Sequence, residues 1–176
     1  FESISRVINV AKNYNVKYNL IDPNSPDSIG LNPFAYDNPL QTSVVISTAL
    51  KNLHFSSNAD MDLNLGVQAN FATQAIENVS ILFKVMYPRM HDGEIPTLED
   101  ILNAFNDFSI IQNMTEELMK DDELAEKFKI LTSYFKKNFY TDSIYRADTE
   151  KYISSAITQL DNLLRYPGIR NILCNR

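Results

Sequence analysis

The spacing of apolar residues differs between the N-terminal part of the chain and the rest. In residues 4–13 the apolar side chains recur every three or four positions, which predicts a helix. Residues 16–21 alternate apolar and polar side chains one by one, which predicts a strand. A helix that leads into a strand is typical of an α/β layer, and a single strand needs partners before it can form a sheet.

Residues 20–34, LIDPNSPDSIGLNPF, follow this strand, and we call them the junction loop. Three of the chain's seven prolines and one of its four glycines lie here. Proline fixes its own φ angle and disfavours helix at the residue before it. The junction loop should therefore end the strand and redirect the chain. It holds no general base and no paired nucleophile.

Beyond the junction loop the period becomes 3.6 residues, which predicts five or six amphipathic helices. Asn38 and Pro39 form an N-cap and N1 pair for the first of them, and Thr97 with Asp100 resembles a capping box for a later one. The predicted helices cover residues 39–53, 62–86 (ended by Pro88), 97–108, 122–139 and 148–164 (ended by Tyr166-Pro167-Gly168). Residues 115–120 are predicted as an acidic turn, and residues 169–174 as a short strand or a turn. In the first helix the apolar positions are Leu40, Val44, Ile46, Ala49, Leu50 and Leu53.

Composition narrows the function classes. Hydrophobic residues make up 44% and charged residues 22%, which is ordinary for a globular domain. The net charge of −6 gives no bulk attraction for phosphate backbones. Cys174 is the single cysteine, so no internal disulfide can form, and its apolar neighbours predict a buried structural thiol. No apolar run approaches the roughly 20 residues of a membrane helix. We interpret both ends as those of a piece taken from a longer chain.

The common nucleotide and nucleophile motifs are missing from the sequence. A P-loop and a dinucleotide fingerprint both need closely spaced glycines, whereas Gly30, Gly66, Gly93 and Gly168 are far apart. G-x-S-x-G, H-E-x-x-H and C-x-x-C do not occur either. The sequence therefore predicts no cofactor and no catalytic residue within this chain.

The chain has two histidines, and one of them belongs to a His-Asp doublet. Metal-dependent HD phosphohydrolases carry such a doublet on a helix, with further ligands on neighbouring helices. A phosphohydrolase hypothesis would use His54, His91 and Asp92. The doublet lies between Pro88 and Pro96, however, which predicts a polar interhelical loop. We favour the loop interpretation and keep the metal site as an alternative.

Two charged clusters are candidate partner-binding sites. The first is an acidic stretch at residues 116–123, with Glu116, Glu117, Asp121, Asp122 and Glu123. The second is Lys136 and Lys137 near Tyr134 and Tyr140, a basic and aromatic combination typical of nucleic-acid surfaces. Each has a simpler explanation, because acids are favoured at helix starts and lysines at helix ends.

Residues 16–40, VKYNLIDPNSPDSIGLNPFAYDNPL, resemble the coupling-protein ATPases of type IV secretion and conjugation, the TraG/TraD-like family. In that family a strand ends in an Asp-Pro turn, here Asp22 and Pro23. A segment of the form S-x-G-x-N-P-F then leads out of the RecA-like nucleotide-binding domain. The residues that match it are Ser28, Gly30, Asn32, Pro33 and Phe34. The final RYPGIRNILCNR is similar to the return path toward the motor.

The resemblance implies a mainly α fold, a bundle of five to six helices inserted into a short α/β stub of a RecA-like domain. The implied divisions are the stub at 1–34, the all-α domain at 35–166 and a return segment at 167–176. The family's ATP-hydrolysing residues lie in a P-loop and a Walker B strand, and neither motif is present here. ATP and Mg²⁺ would therefore act in the parent protein, outside this chain.

The resemblance also implies a function. All-α domains of this family recognise the transfer substrate at the mouth of a hexameric, membrane-anchored motor on the cytoplasmic face of the bacterial membrane. The implied partners are the relaxase or accessory relaxosome proteins, with DNA as a further candidate, and the rest of the motor. The acidic balance favours a protein partner over bare DNA. A free-standing helical protein-interaction module is the second interpretation.

Overall fold

The computed structural model describes residues 2–25, 28–55 and 63–175, and the side chains of residues 5–25, 28–50 and 66–175. The described residues form nine α-helices and one short 3₁₀ turn. The helices are α1 Glu2–Asn13, α2 Pro39–Phe55, α3 Leu63–Met90, α4 Leu98–Asn106, α5 Phe108–Leu118, α6 Asp122–Lys127, α7 Lys129–Asn138, α8 Arg146–Leu164 and α9 Pro167–Leu173, and the 3₁₀ turn is Pro33–Ala35. The predicted mainly α class is confirmed.

The predicted strand at residues 16–21 is wrong. This segment forms neither helix nor strand, and no strand occurs among the described residues to pair with it. Residues 169–174, predicted as a strand or a turn, lie mostly in helix α9. Alternating side chains favour an extended backbone, but a strand forms only where a second strand supplies hydrogen-bond partners.

Several helix boundaries differ from the prediction. The predicted helix at 97–108 ends before Asp107, which caps the start of α5 by accepting a hydrogen bond from the Ser109 backbone N–H at 3.0 Å. The predicted helix at 122–139 breaks at Phe128 into α6 and α7. Residues 115–118, predicted as turn, continue α5. Pro88 lies in the last turn of α3, which ends at Met90.

The long helix α3 is the centre of the bundle. It packs along α2 and also contacts α8, α5 and α4. Among the largest fully buried side chains of the bundle are Phe34, Leu82, Phe83, Ile101, Phe135, Phe139, Ile153 and Leu160. Phe135 and Phe139 are fully buried in the core, and Phe128 is half-buried against it.

The N-terminal part stands apart from this core. No described side chain of residues 5–25 is buried. Apolar side chains of α1 and of the extended segment face solvent, among them Val7, Val10, Val16 and Tyr18. The amphipathic pattern of α1 therefore has no partner surface within the described residues.

Candidate functional site

The junction loop is closed by its own hydrogen bonds. The Asp22 N–H donates to Ser28 Oγ at 3.0 Å, and the Ile29 N–H donates to the Leu20 carbonyl at 2.8 Å. The Asp22 carboxylate accepts from the Asn24 N–H at 2.9 Å, which forms an Asx-type turn. Asp22 and Ser28, which match the family motif, therefore lie together, and their hydrogen bonds shape the turn.

Asn32 and Phe34 anchor the end of the loop to the bundle. Asn32 Oδ1 accepts from the Phe34 N–H at 2.9 Å, and Asn32 Nδ2 donates to the Pro96 carbonyl at 2.9 Å. The Phe34 ring is 0% exposed, and Pro33 opens the 3₁₀ turn beside it. Lys84 Nζ donates to the Phe34 carbonyl at 2.7 Å. The sequence signal for Lys84 is a single lysine among apolar residues in ILFKVM.

The return segment lies against the junction loop. The Leu31 N–H donates to the Ile172 carbonyl at 2.7 Å. A Cβ atom on Gly168 would lie 1.7 Å from the Pro23 carbonyl oxygen. A Cβ atom on Gly30 would lie 2.3 Å from Asn175 Cβ. Glycine is needed at both positions because the two segments approach too closely for any side chain.

Helix α9 is also held to α4. The Arg170 guanidinium makes two hydrogen bonds to the Glu99 carboxylate, one of them from Nε to Oε2 at 3.2 Å. Cys174 follows α9 and is half-buried and free. Burial raises the pKa of the Cys174 thiol, and the Glu99 charge acts in the same direction. A raised pKa lowers the thiolate fraction at neutral pH, so Cys174 is a poor nucleophile.

An apolar recess of about 480 Å³ lies beside the junction loop. Its walls are residues 30–33 of the loop, Ala35 and Tyr36 after it, and one side of α2, with Leu98, Leu163 and Leu173. None of the described residues that line it is charged. The Asn32 amide, its main polar group, is already used by Phe34 and Pro96. The recess suits apolar groups and holds no set of converging polar groups for catalysis.

The acidic stretch lies on two consecutive helices. Asp121 caps α6 by accepting from the backbone N–H groups of Glu123 and Leu124, both at 3.1 Å. Asp122 and Glu123 occupy the first turn of α6, which confirms the helix-start explanation for these three acids. The other two differ, because Glu116 and Glu117 lie near the C-terminal end of α5, where the helix dipole disfavours negative charge. All five carboxylates are exposed.

The two lysines and the two tyrosines do not form one patch. Lys136 and Lys137 are exposed in the last turn of α7, as expected. Tyr134 and Tyr140 instead pack against the hydrophobic core. Burial raises the pKa of Tyr134, and it raises that of Tyr140 to about 12, with Glu116 and Asp142 contributing. The tyrosine rings are thus unavailable as a stacking platform for bases.

The His-Asp doublet lies in a turn after α3, as the loop interpretation predicts. The His91 ring stacks on Tyr87 with 4.1 Å between ring centroids, and Asp92 has a positive φ of 49°. The side chain of His54 lies outside the described residues. Across the described part of the chain, no group of three or more His, Cys, Asp or Glu side chains could hold a metal ion.

Comparison with protein-family models, with curated proteins and with solved structures finds no match to this chain. In the part of the chain that the structure describes, no helix combines the length and apolar character needed to cross a bilayer. The features that bear on function are therefore the junction loop, the return segment and the exposed surfaces.

Proposed function

We propose that this chain is the substrate-recognition domain of a conjugative DNA-transfer coupling ATPase of the TraG/TraD-like type. The observation that carries the proposal is the contact between the junction loop and the return segment, with Leu31 N–H bonded to the Ile172 carbonyl at 2.7 Å. Both connections of the helical bundle therefore lie side by side. A domain inserted into a motor needs this arrangement, because the host domain continues from the point where it was interrupted.

The unburied N-terminal part supports the same proposal. Helix α1 and the extended segment 16–21 expose apolar residues such as Val7, Val16 and Ile21. Residues 16–21 keep the side-chain alternation of a strand although they pair with none in the described chain. Both features fit a stub of a RecA-like α/β core, whose other strands and helices would cover them.

In this proposal the chain acts by binding and performs no catalysis alone. ATP and Mg²⁺ act in the P-loop and Walker B strand of the parent motor, at the cytoplasmic face of the membrane. The decisive test is the coding sequence that flanks the chain. We expect a P-loop upstream of Phe1 and an acidic Walker B strand downstream of Arg176. A reading frame with neither motif would overturn the proposal and favour a free-standing helical interaction module.

The acidic stretch is the proposed contact for a relaxase or an accessory relaxosome protein. All five of its carboxylates are exposed, and a basic protein surface complements them. We expect the combined variant Glu116→Lys, Glu117→Lys, Asp122→Lys and Glu123→Lys to weaken binding of the purified relaxosome protein from the same DNA element by about 10-fold or more. Asp121 is left unchanged because it caps α6.

The matched control places Asp37→Lys and Asp148→Lys at exposed acids outside the stretch. These changes alter the net charge in the same sense and should leave the affinity near that of the wild type. Equal binding by the wild type and the acidic-stretch variant would remove this surface assignment. For DNA, we expect no shift of single-stranded DNA in a gel at physiological salt, because the net charge is negative and the rings of Tyr134 and Tyr140 pack against the core.

A further inference from the structure

Helix α1 carries an apolar stripe that stays exposed in the described chain. Val7, Val10 and Tyr14 follow one another at steps of three and four residues, so they lie on one side of the helix. They are 68%, 56% and 78% exposed. Tyr14 comes just after α1, and its N–H donates to the Val10 carbonyl at 3.0 Å, which continues the helical pattern. We call Val7, Val10 and Tyr14 the α1 stripe.

A helix as short as α1 needs a surface to pack on. Isolated helices shorter than about 12–15 residues are marginal in water, because most helical stability in proteins comes from burying an apolar face. Helix α1 has 12 residues, and it makes no extensive contact with another helix of the described chain. A stable α1 therefore requires a surface that takes up its stripe.

The apolar recess beside the junction loop is a surface of this kind. It has a volume of about 480 Å³, and none of the described residues that line it is charged. Two of its walls are open to solvent, since Leu31 is 46% and Tyr36 is 50% exposed. A concave apolar surface is what the apolar side of an amphipathic helix binds.

Helix α2 forms one wall of the recess because its hydroxyl side is turned into the bundle. Three of its buried residues carry hydroxyl groups, Thr42, Ser43 and Ser47. Ser47 Oγ donates to Glu77 Oε1 on α3 at 2.8 Å, which fixes this orientation. Val45 and Ala49 are therefore exposed on the wall of the recess.

The apolar residues of α2 are thus divided differently from the prediction. Three of the predicted apolar positions are exposed, Leu40, Val44 and Ala49. Of the described apolar residues of this helix, only Ile46 and Leu50 are buried. Val44 is 55% exposed and lies next to Val45 in the chain, but it does not line the recess.

A short tether keeps the α1 stripe close to the recess. The Val16 N–H still donates to a carbonyl of α1 at 2.9 Å. The Leu20 carbonyl accepts from the Ile29 N–H at 2.8 Å, and the next residue, Gly30, belongs to the recess wall. Residues 17–19 separate these two fixed points, and such a link spans at most about 14 Å. A short link gives an effective concentration in the millimolar range for docking within one molecule.

Charge favours α1 over a second copy as the occupant of the recess. Residues 1–20 carry three basic side chains and one acidic side chain, whereas the chain as a whole has a net charge of −6. The N-terminal segment is therefore attracted to the rest of its own chain, while two complete copies repel each other.

We propose that α1 is a lid that docks its stripe in the apolar recess of its own chain. The recess is then open to another apolar partner only while α1 is held elsewhere. The inference does not rest on the proposed role in DNA transfer. In that role, a host core that covers α1 would hold the lid open.

Hydrogen exchange of the α1 amides, measured by mass spectrometry on the whole chain, tests the lid. We expect residues 7–13 to exchange about 100-fold more slowly than unstructured amides, because a docked helix is protected. Val45→Asp places a charge in the recess wall and should reduce this protection to about 3-fold or less. The matched control is Val44→Asp, on the same helix but outside the recess wall, and it should keep the wild-type protection.

Further measurements separate loss of the lid from a damaged bundle and from a dimer. Protection in α3 and α8 should be the same in the wild type and in both variants. Val10→Asp changes the α1 stripe itself and should give the same loss as Val45→Asp, and it leaves the bundle core untouched because Val10 is exposed. Protection of α1 should stay constant over about a 10-fold range of protein concentration, since docking within one molecule does not depend on concentration.

Four results would each overturn the lid. The first is a wild-type chain whose α1 amides exchange like unstructured amides. The second is a folded Val45→Asp chain that keeps the wild-type protection of α1. The third is an equal loss in Val44→Asp, which would place the contact outside the recess. The fourth is protection that rises with protein concentration, which would make a second copy the source of the contact.

Discussion

Asn32 illustrates how one side chain can connect distant parts of the chain. Its Oδ1 atom accepts from the Phe34 N–H, and its Nδ2 atom donates to the Pro96 carbonyl 64 residues away. The buried Phe34 ring and the bond from Lys84 to the Phe34 carbonyl complete the anchor. Asn32 and Phe34, two residues of the segment that resembles the family motif, thus fix the end of the junction loop to the bundle.

We expect Asn32→Ala to lower the free energy of unfolding by about 1–3 kcal/mol, because the change leaves partly buried partners unpaired. Urea unfolding followed by circular dichroism measures the effect. Asn19→Ala, at an exposed side chain of the extended segment, is the control and should change stability by less than about 0.5 kcal/mol. Equal stability of the two variants would contradict the anchoring role.

A second residue-scale prediction concerns alkaline pH. Burial raises the pKa of Tyr140 from 10.0 to about 12, so the folded state favours the protonated phenol. The stability that this raised pKa contributes to the folded state is fully present below pH 10, and it is lost as the pH rises through about 12. Tyr140→Phe should make the fall in unfolding free energy between these pH values less steep.

Urea unfolding at a series of pH values from 9.0 upward tests this expectation. Tyr14→Phe, at an exposed ring, is the matched control and should follow the wild-type curve. The physical account fails if Tyr140→Phe and the wild type lose stability with the same slope. The pKa of Tyr134 is also raised, so part of the pH dependence of the unfolding free energy remains in the Tyr140→Phe variant.

At the scale of elements, local caps decide where the helices begin. Asp107 starts α5 by accepting one backbone N–H, and Asp121 starts α6 by accepting two. Asp100 Oδ2 accepts from Thr97 N–H at 2.7 Å and from Thr97 Oγ1 at 2.8 Å at the start of α4. Its other oxygen accepts from the Tyr87 hydroxyl at 3.2 Å, so this cap also ties α4 to α3.

We expect Asp100→Ala to lower the free energy of unfolding by about 1–3 kcal/mol, since it removes a cap and a contact between helices. Thermal and urea unfolding both measure the loss. Glu123→Ala removes an exposed acid from the first turn of α6 and should cost about 0.3–1 kcal/mol. A smaller loss for Asp100→Ala than for Glu123→Ala would show that the cap at α4 is unimportant.

At the scale of the whole molecule, the junction loop and the return segment close the bundle. Gly168→Ala would place a Cβ atom 1.7 Å from the Pro23 carbonyl oxygen, so the two segments must separate. We expect faster hydrogen exchange at Ile29 and Leu31 and a loss of about 1–3 kcal/mol in stability. Gly66→Ala in α3 meets no atom within 4 Å and should stabilise the chain by about 0.5–1 kcal/mol. If hydrogen exchange at Ile29 and Leu31 is unchanged in Gly168→Ala, the close approach of the return segment to the junction loop is contradicted.

The candidate site was only partly predictable from the sequence. The loop position of His91 and Asp92 and the helix start at Asp122 followed from local patterns and are confirmed. The anchor from Lys84 and the apolar recess were not predicted, because both join residues far apart in the chain. The link to coupling ATPases stays a prediction that the flanking sequence can test.

The sequence by itself determined the mainly α class, the capped start of α2 at Asn38 and the position of the junction loop, since periodicity, capping and proline act over a few residues. Tertiary structure alone decided which side of α2 is buried and what the junction loop contacts. Serine and threonine hydroxyls can bond to their own helix or to Glu77, so polarity did not reveal the buried side. The meeting of Leu31 with Ile172 depends on the packing of the whole bundle, which no local pattern encodes.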